Sequence, residues 1–265
     1  MLFTDRIIPT KDNYFSPEVN AAYWSVSQFK AFNRCEAAGL AEVRGQYKRE
    51  ETDALLIGSY VDAYFSDEMD AFQERNGEKM FTKKGELYAK FQAANTMINA
   101  IECQPLMMRM LEGDKQVVMS AVLDGIPWKA KLDVFNGERI VDLKTVKDFG
   151  DMWDETIGSR RSWIEYWGYD IQGAIYQRVV EKATGKRLPF YIAAVTKERV
   201  PDVAVIEIPQ HILDAAYNLV QAKIERFDLI KSGEVEPIRC EKCDYCKTTK
   251  VLFKPDVYEI EEAQA

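Results

Sequence analysis

The segment from Gln116 to Lys147, QVVMSAVLDGIPWKAKLDVFNGERIVDLKTVK, constrains the fold of this chain more than any other. Polar and apolar residues alternate along it, and Asp124-Gly125 and Asn136-Gly137 are strong signals for tight turns. These dipeptides suit a type I′ turn because both of its central residues need a positive φ. The segment therefore predicts three antiparallel strands, over 116–123, 126–135 and 138–146.

The predicted strand register gathers charged side chains on one face of this sheet. A two-residue loop at the second turn predicts that Phe135 lies opposite Glu138. Since side chains alternate along a strand, Asp133, Asp142 and Lys144 then share one face. The other face is expected to be apolar and to form a core, with Ala130, Leu132, Val134, Val141 and Leu143.

Two carboxylates and an ammonium on one sheet face have two interpretations. Mg²⁺ is bound in proteins through one or two carboxylates together with substrate phosphates. A lysine beside such an ion can position the attacking water or neutralise developing charge. The alternative is a solvated sheet face that carries a Lys–Asp pair, because antiparallel sheets often expose one charged face.

A helix is predicted upstream of the sheet, over residues 55–65, LLIGSYVDAYF. Its single acid, Asp62, lies in an apolar and aromatic stretch. An acid in that setting is seldom buried unless it is paired or bound to a metal ion. The alternative is a surface acid beside the charges of Asp67 and Asp70.

A second helix is predicted downstream, over residues 163–184, and Gly185 is a suitable residue to end it. Tyr169, Gln172 and Tyr176 share one face of this helix. Aromatic residues at helical spacing are by default core residues. A glutamine on a packing face needs a hydrogen-bond partner, however, which favours a functional role for Gln172.

The cysteines predict a metal site. Cys240, Cys243 and Cys246 form a C-x2-C-x2-C motif, and in an acidic chain without secretory features such spacing favours metal over disulfides. Three thiolates need a fourth ligand, for which Cys35 is the best candidate. Cys103 is expected to be an ordinary buried thiol. Free thiols clustered by chance remain the alternative.

The spacing Asp133-x8-Asp142-x-Lys144 around a tight turn resembles the signature of the PD-(D/E)xK nucleases. Asp62 after Gly58-Ser59 looks like the helical element that brings a His or Glu to the metal in the RecB-like and lambda-exonuclease-like branches, with Asp in its place. Over about residues 20–250 the chain resembles phage or prophage exonucleases of the RecE (exonuclease VIII) type and, more distantly, lambda exonuclease. The resemblance implies an α/β (α+β) fold with a central mixed sheet flanked by helices.

The resemblance also implies roles for individual residues. It implies that Asp62, Asp133, Asp142 and the main-chain carbonyl of Leu143 hold one or two Mg²⁺ or Mn²⁺ ions. Lys144 would position or activate the water. Gln172 and Tyr176 match the Gln-x3-Tyr pair of these branches, which would orient the DNA strand.

The cysteines resemble those of AddB-like nucleases and a CRISPR-adaptation nuclease, in which one early and three late cysteines hold an iron–sulfur cluster. This resemblance makes a [4Fe–4S] cluster on Cys35, Cys240, Cys243 and Cys246 the first expectation and a structural Zn²⁺ the second.

The implied activity is hydrolysis of linear double-stranded DNA, 5′ to 3′, in phage-type recombination. A RecT-like single-strand annealing recombinase is the implied partner, and a homo-oligomeric ring is expected. The alternative function is a non-catalytic DNA-binding or assembly subunit that keeps the nuclease fold and a structural Fe–S or zinc site.

Composition limits these expectations only loosely. The length of 265 residues and the hydrophobic content of 47% predict a single domain over 1–265, with loose ends at about 1–20 and 258–265, and the resemblance implies that it is a nuclease domain. A net charge of −8 argues against non-specific coating of DNA. The absence of a secretory signal or transmembrane run predicts a cytoplasmic protein without a membrane partner.

Overall fold

A five-stranded mixed sheet forms the centre of the molecule. The structure, a computed structural model, describes residues 7–155 and 157–255. The strands in these ranges are β1 (Asp114–Leu123), β2 (Ile126–Phe135), β3 (Ile140–Val146), β4 (Met152–Asp154), β5 (Ser159–Arg161), β6 (Phe190–Thr196) and β7 (Val203–Glu207). The sheet has the order β1-β2-β3-β6-β7, in which β3 and β6 are parallel and all other neighbours are antiparallel. The predicted central mixed sheet is confirmed.

Helices flank this sheet on both sides. They are α1 (Pro17–Ala22), α2 (Val26–Arg34), α3 (Glu36–Val43), α4 (Asp53–Phe65), α5 (Met69–Met80), α6 (Ala89–Glu102), α7 (Pro105–Met110), α8 (Trp163–Tyr166), α9 (Tyr169–Thr184), α10 (Gln210–Ser232) and α11 (Asp244–Thr248). One layer contains α9, which packs on β1 and β2, and α10, which packs on α9. The other contains α4, α6 and α7, which pack on β3, β6 and β7.

Helices cover both faces of the sheet, and each covered face has its own hydrophobic core. The apolar residues predicted for a single core face divide between these two cores. Ala130 and Leu132 belong to the larger core, which α9 and α10 complete. Val134, Val141 and Leu143 belong to the core beneath α4 and α6. β6 lies between β3 and β7 and is buried along almost its whole length, as expected for a strand covered on both faces.

The predicted pairing of β2 with β3 is wrong by two residues. Phe135 pairs with Ile140 rather than with Glu138. The Asn136 side chain accepts hydrogen bonds from the main-chain N–H groups of Glu138 and Arg139, each at 3.0 Å, and this closes a four-residue connection. Because side chains alternate with a period of two, a shift of two residues leaves Asp133 and Asp142 on the same side of the paired strands.

Two helical stretches are interrupted. Cys35, which has an extended backbone, separates α2 from α3. The helix predicted over 163–184 is divided into α8 and α9 by Gly168, whose φ is +63°. The breaks at Cys35 and Gly168 both lie at functional features described below.

The expectation of a loose end over 1–20 does not hold for Tyr14 and Asn20, which contact Lys129 on β2, and residues 1–6 lie outside the described residues. Tyr14 is buried, and its carbonyl accepts a hydrogen bond from the Lys129 ammonium. The same ammonium, on a residue only 1% exposed, donates to Asn20 Oδ1 at 2.6 Å. A buried charge needs such partners, and here the N-terminal segment supplies them. The end predicted over 258–265 lies outside the described residues.

No helix within the described ranges combines the length and the apolar character needed to cross a bilayer.

Candidate active site and cysteine cluster

Asp142, on the central strand β3, is the most buried acid of the candidate site. The residue is 1% exposed. Its Oδ1 accepts a hydrogen bond from Gln172 Nε2 at 2.7 Å, and its Oδ2 is ion-paired with the Lys144 ammonium. The strand thus presents both charged residues to the same space, while α9 supplies the amide that orients the carboxylate.

Asp133 lies beside Asp142 at the end of the β2–β3 pairing. The regular ladder between these strands covers only Val134–Val141 and Phe135–Ile140. Beyond it, the main-chain N–H of Leu143 donates to Asp133 Oδ2 at 3.0 Å. A side-chain carboxylate therefore accepts a main-chain hydrogen bond where the strands separate, and this holds it against β3.

Asp62 reaches the same space from α4 because that helix lies very close to β3. Gly58, one turn before Asp62, faces the strand. A Cβ atom at this position would lie 2.7 Å from Thr145 Oγ1, a distance at which something must move. The glycine costs helix propensity, and in return the helix approaches closely enough to bring its acid to the sheet.

Gln116 on β1 orients Asp62, a role that the sequence analysis missed. Its Nε2 lies 3.4 Å from both carboxylate oxygens of Asp62. The residue is buried and has a φ of +52°, which is unusual for any residue except glycine. Such strain persists only where surrounding structure enforces it and is concentrated at functional sites. Nothing in the sequence around Gln116 indicates this conformation.

Burial and mutual repulsion disfavour the ionised forms of the Asp62 and Asp133 carboxylates. Burial, together with the neighbouring Asp142 carboxylate, raises the pKa of Asp133 well above its ordinary value. Burial also raises the pKa of Asp62. Burial alone would lower the pKa of the Lys144 ammonium, but Asp142 and Asp133 outweigh it and hold that pKa above its usual range. The site therefore keeps Lys144 protonated and favours an additional cation.

These residues surround an open pocket of about 390 Å³. Its wall includes Asp62, Asp133, Leu143, Lys144 and Gln172, so the structure brings most of the predicted site residues together. Further lining residues, not predicted as part of the site, are Lys30, Tyr169 and Lys197.

Tyr176 is the exception among the predicted site residues. It is 7% exposed, belongs to the larger core and does not line the pocket. It follows Gln172 by one turn of α9, and it packs in the core whereas Gln172 lines the pocket. The geometry does not fit the prediction that Tyr176 orients a DNA strand, because the phenol lies in the protein interior.

The pocket fits a hard divalent cation. Its donors are carboxylate oxygens, which suit Mg²⁺ or Mn²⁺ rather than softer ions. Within the described residues, three or more potential ligand atoms (His nitrogen, Cys sulfur or carboxylate oxygen) lie within 4.8 Å of one another only in the cluster of four cysteines. The aspartates therefore do not form a closed cage. An open arrangement suits Mg²⁺, which usually keeps several waters and binds substrate phosphates. Asp133, Asp142 and Asp62 would hold the ion.

Cys35, Cys240, Cys243 and Cys246 come together as predicted. Their Sγ atoms all lie within 4.8 Å of one another, with 3.6 Å between Cys35 and Cys246 and 3.9 Å between Cys240 and Cys246. One tetrahedral ion with bonds of about 2.3 Å separates its sulfurs by about 3.8 Å. In a [4Fe–4S] cluster each thiolate binds a different iron, so the sulfurs lie farther apart. The spacing favours a single ion.

The local environment favours the thiolate form of Cys240, whereas burial raises the pKa of the Cys35 and Cys243 thiols. Burial raises the pKa of the Cys240 thiol, but the main-chain N–H groups of Lys242 and Cys243 outweigh it and bring that pKa to about 6. Thiolates are the form that binds metal. Cys103, expected to be buried, is exposed and lies apart from the cluster.

Comparisons with known proteins support the fold and identify the family. A protein family described as "PDDEXK-like domain of unknown function (DUF3799)" matches residues 25–249. The chain is similar to a "Putative exonuclease" from Eubacterium rectale whose crystal structure is solved. The two sequences are 42% identical, the match covers 95% of this chain and 97% of the E. rectale chain, and the structures superpose with a TM-score of 0.90.

The remaining comparisons add no argument. The match to the solved structure of SSO0001 covers 78% of this chain and 89% of the SSO0001 chain at 12% sequence identity. Its TM-score of 0.27 is too low to support an argument. No protein of curated function matches significantly. Because the family match spans most of the chain and the 42% identical structure nearly all of it, the protein belongs to the PDDEXK-like family DUF3799.

Proposed function

We propose that the protein is a divalent-metal-dependent nuclease that hydrolyses phosphodiester bonds of DNA. The observation that carries this proposal is the pairing of Asp142 with Lys144 beside Asp133, at the wall of an open pocket. The family match and the description of the E. rectale relative as an exonuclease support it.

The residues of the pocket divide the work. A bound Mg²⁺ or Mn²⁺ would act as a Lewis acid on the phosphate and lower the pKa of a bound water. Lys144, held protonated by Asp142 and Asp133, donates hydrogen bonds and neutralises charge instead of removing a proton. Gln172 and the Leu143 N–H hold the two sheet carboxylates in fixed orientations.

The finer proposal is an exonuclease that degrades linear double-stranded DNA from 5′ to 3′ in phage-type recombination. It rests on the resemblance to RecE-type enzymes and on the name of the relative. A RecT-like annealing recombinase as partner and a homo-oligomer belong to the same proposal.

For the cysteine cluster we propose a single structural Zn²⁺, ahead of a [4Fe–4S] cluster. The sulfur spacing supports this order. Elemental analysis of protein purified without oxygen tests it: about one zinc per chain and no visible absorbance agree with it. Iron and sulfide in equal amounts, with a brown colour, would contradict it.

The nuclease proposal is tested by incubating the protein with linear and closed circular duplexes, with Mg²⁺ or EDTA. We expect Mg²⁺-dependent loss of the linear duplex only. Duplexes labelled at the 5′ or the 3′ end then report polarity, with early release of 5′ label expected. Binding of DNA by folded protein without any cleavage would instead favour a non-catalytic subunit.

A further inference from the structure

Lys30 extends from α2 into the candidate active-site pocket. Its ammonium lies 5.3 Å from the centroid of the Tyr169 ring, and the Lys144 ammonium lies 5.4 Å from the same centroid. The ring thus gives both cations a shared aromatic neighbour, a favourable interaction in each case. Lys144 is paired with Asp142, whereas no carboxylate of the described residues forms an ion pair with Lys30.

The Lys30 stem passes beside Gly168, at the junction of α8 and α9. A Cβ atom on Gly168 would lie 3.4 Å from Cε and 3.6 Å from Cδ of Lys30. Gly168 also has a φ of +63°, a conformation that glycine adopts at low cost. The break between α8 and α9 therefore lies where the lysine passes toward the pocket.

Lys197 enters the same pocket from the end of β6. Its ammonium donates to the main-chain oxygen of Thr145 at 3.1 Å. An ammonium has three N–H donors, and Thr145 accounts for one of them. Lys197 therefore retains donors for a ligand in the pocket.

Lys129 is a lysine with a structural role, and its hydrogen-bond partners can be compared with those of Lys30 and Lys197. It is 1% exposed, and its ammonium binds the Tyr14 carbonyl and Asn20 Oδ1 and lies over the Tyr14 ring. These partners come from the protein itself. Lys30 and Lys197 are instead half-buried at the wall of an open pocket, with fewer internal partners, which suits binding an anion from outside.

We propose that Lys30 and Lys197 bind non-bridging oxygens of DNA phosphates that adjoin the phosphate held at the carboxylates. This inference rests on the proposed nuclease function and names how the strand is gripped. The aspartates repel a polyanion, so the strand needs cations on either side of them in addition to a metal ion. Partial burial strengthens a lysine–phosphate contact because water screens it less.

The test is DNA binding by Lys30→Met and Lys197→Met, measured by fluorescence anisotropy of a labelled duplex with Ca²⁺ in place of Mg²⁺. Each phosphate contact contributes about 0.9 to the slope of log K against log salt for duplex DNA, or about 0.7 for a single strand. We expect each variant to lower the slope by that amount and to weaken binding roughly five- to ten-fold at 0.1 M salt. Lys30→Arg should retain the slope.

Lys186→Met, at an exposed lysine after α9, and Lys147→Met, at an exposed lysine after β3, are the matched controls and should match wild type. Thermal unfolding shows whether each variant is folded, and Lys30→Gln and Lys197→Gln, which also remove the charge, replace a methionine variant that is not. Salt-dependence slopes equal to wild type in Lys30→Met and Lys197→Met would overturn this inference but not the proposed nuclease function. A wild-type protein that neither binds nor cuts DNA would overturn the proposed function as well.

Discussion

At the scale of single residues, the site is a set of charges that the fold tolerates at some cost. Asp133 illustrates this, because burial and Asp142 raise its pKa. In the folded protein the ionised form is therefore disfavoured relative to the unfolded chain. The cost is absent below the unfolded pKa of about 3.9 and increases as the pH rises toward the folded pKa.

Asp133→Asn should therefore stabilise the metal-free protein. We expect the melting temperature in EDTA at pH 8 to rise by roughly 3–8 °C, because the amide relieves carboxylate repulsion and can still accept the Leu143 N–H bond. At pH 4 the gain should vanish. The variant should also lose the stabilisation that Mg²⁺ gives wild type. A lower melting temperature at pH 8 would contradict this account of the site.

Gln116 offers a second test at this scale, because glycine accepts its positive φ while removing the amide. Gln116→Gly should fold and should need roughly 10- to 100-fold more Mg²⁺ for half-maximal activity, the usual effect of removing a group that orients a metal ligand. Gln92→Gly, at an exposed glutamine in α6, would show the effect of a glycine elsewhere. An unchanged Mg²⁺ requirement would show that Gln116 does not orient Asp62.

At the scale of elements, the strands were predictable and the helix breaks were not. Alternation and the Asp-Gly and Asn-Gly turns predicted all three strands of the motif, since those signals are local. The breaks lie beside groups that are distant in the chain: Cys35 contacts Cys246, and Gly168 lies next to the Lys30 stem. Periodicity within a helix contains no information about such contacts.

The close approach of α4 to β3 can be tested by a pair of substitutions. In an unconstrained helix Gly58→Ala would stabilise by about 1 kcal/mol. Here the new Cβ would lie 2.7 Å from Thr145 Oγ1, so we expect lower stability and at least ten-fold lower activity as Asp62 moves away. Thr145→Ala should restore part of both in the double variant. A stabilised, fully active Gly58→Ala would contradict the proposed constraint.

The cysteine cluster joins elements that are far apart in the chain, linking the end of α2 to the C-terminal segment around α11. Cys246→Ser should lose bound metal and lower the melting temperature by at least 5 °C. The matched control is Cys103→Ser, at an exposed thiol outside the cluster, which should change neither quantity. Retention of metal by Cys246→Ser would remove that residue from the ligand set.

At the scale of the whole molecule, the net charge is −8, but three lysines are gathered at one pocket. Lys30, Lys144 and Lys197 converge on one pocket from α2, β3 and β6. The motif residues Asp133, Asp142 and Lys144 were predictable because they lie close together in sequence. Lys30, Gln116 and Lys197 were not, because only the assembled sheet and its helices bring them to the same pocket.

The central claim is that Lys144 and its carboxylate neighbours cut DNA, and one comparison tests it most directly. The initial rate of Mg²⁺-dependent cleavage of linear duplex DNA is measured for Lys144→Met and for Lys147→Met, an exposed lysine three residues along the chain. The account predicts at least a 100-fold loss in the first variant and a wild-type rate in the second. Cleavage by Lys144→Met at the wild-type rate would place the activity elsewhere.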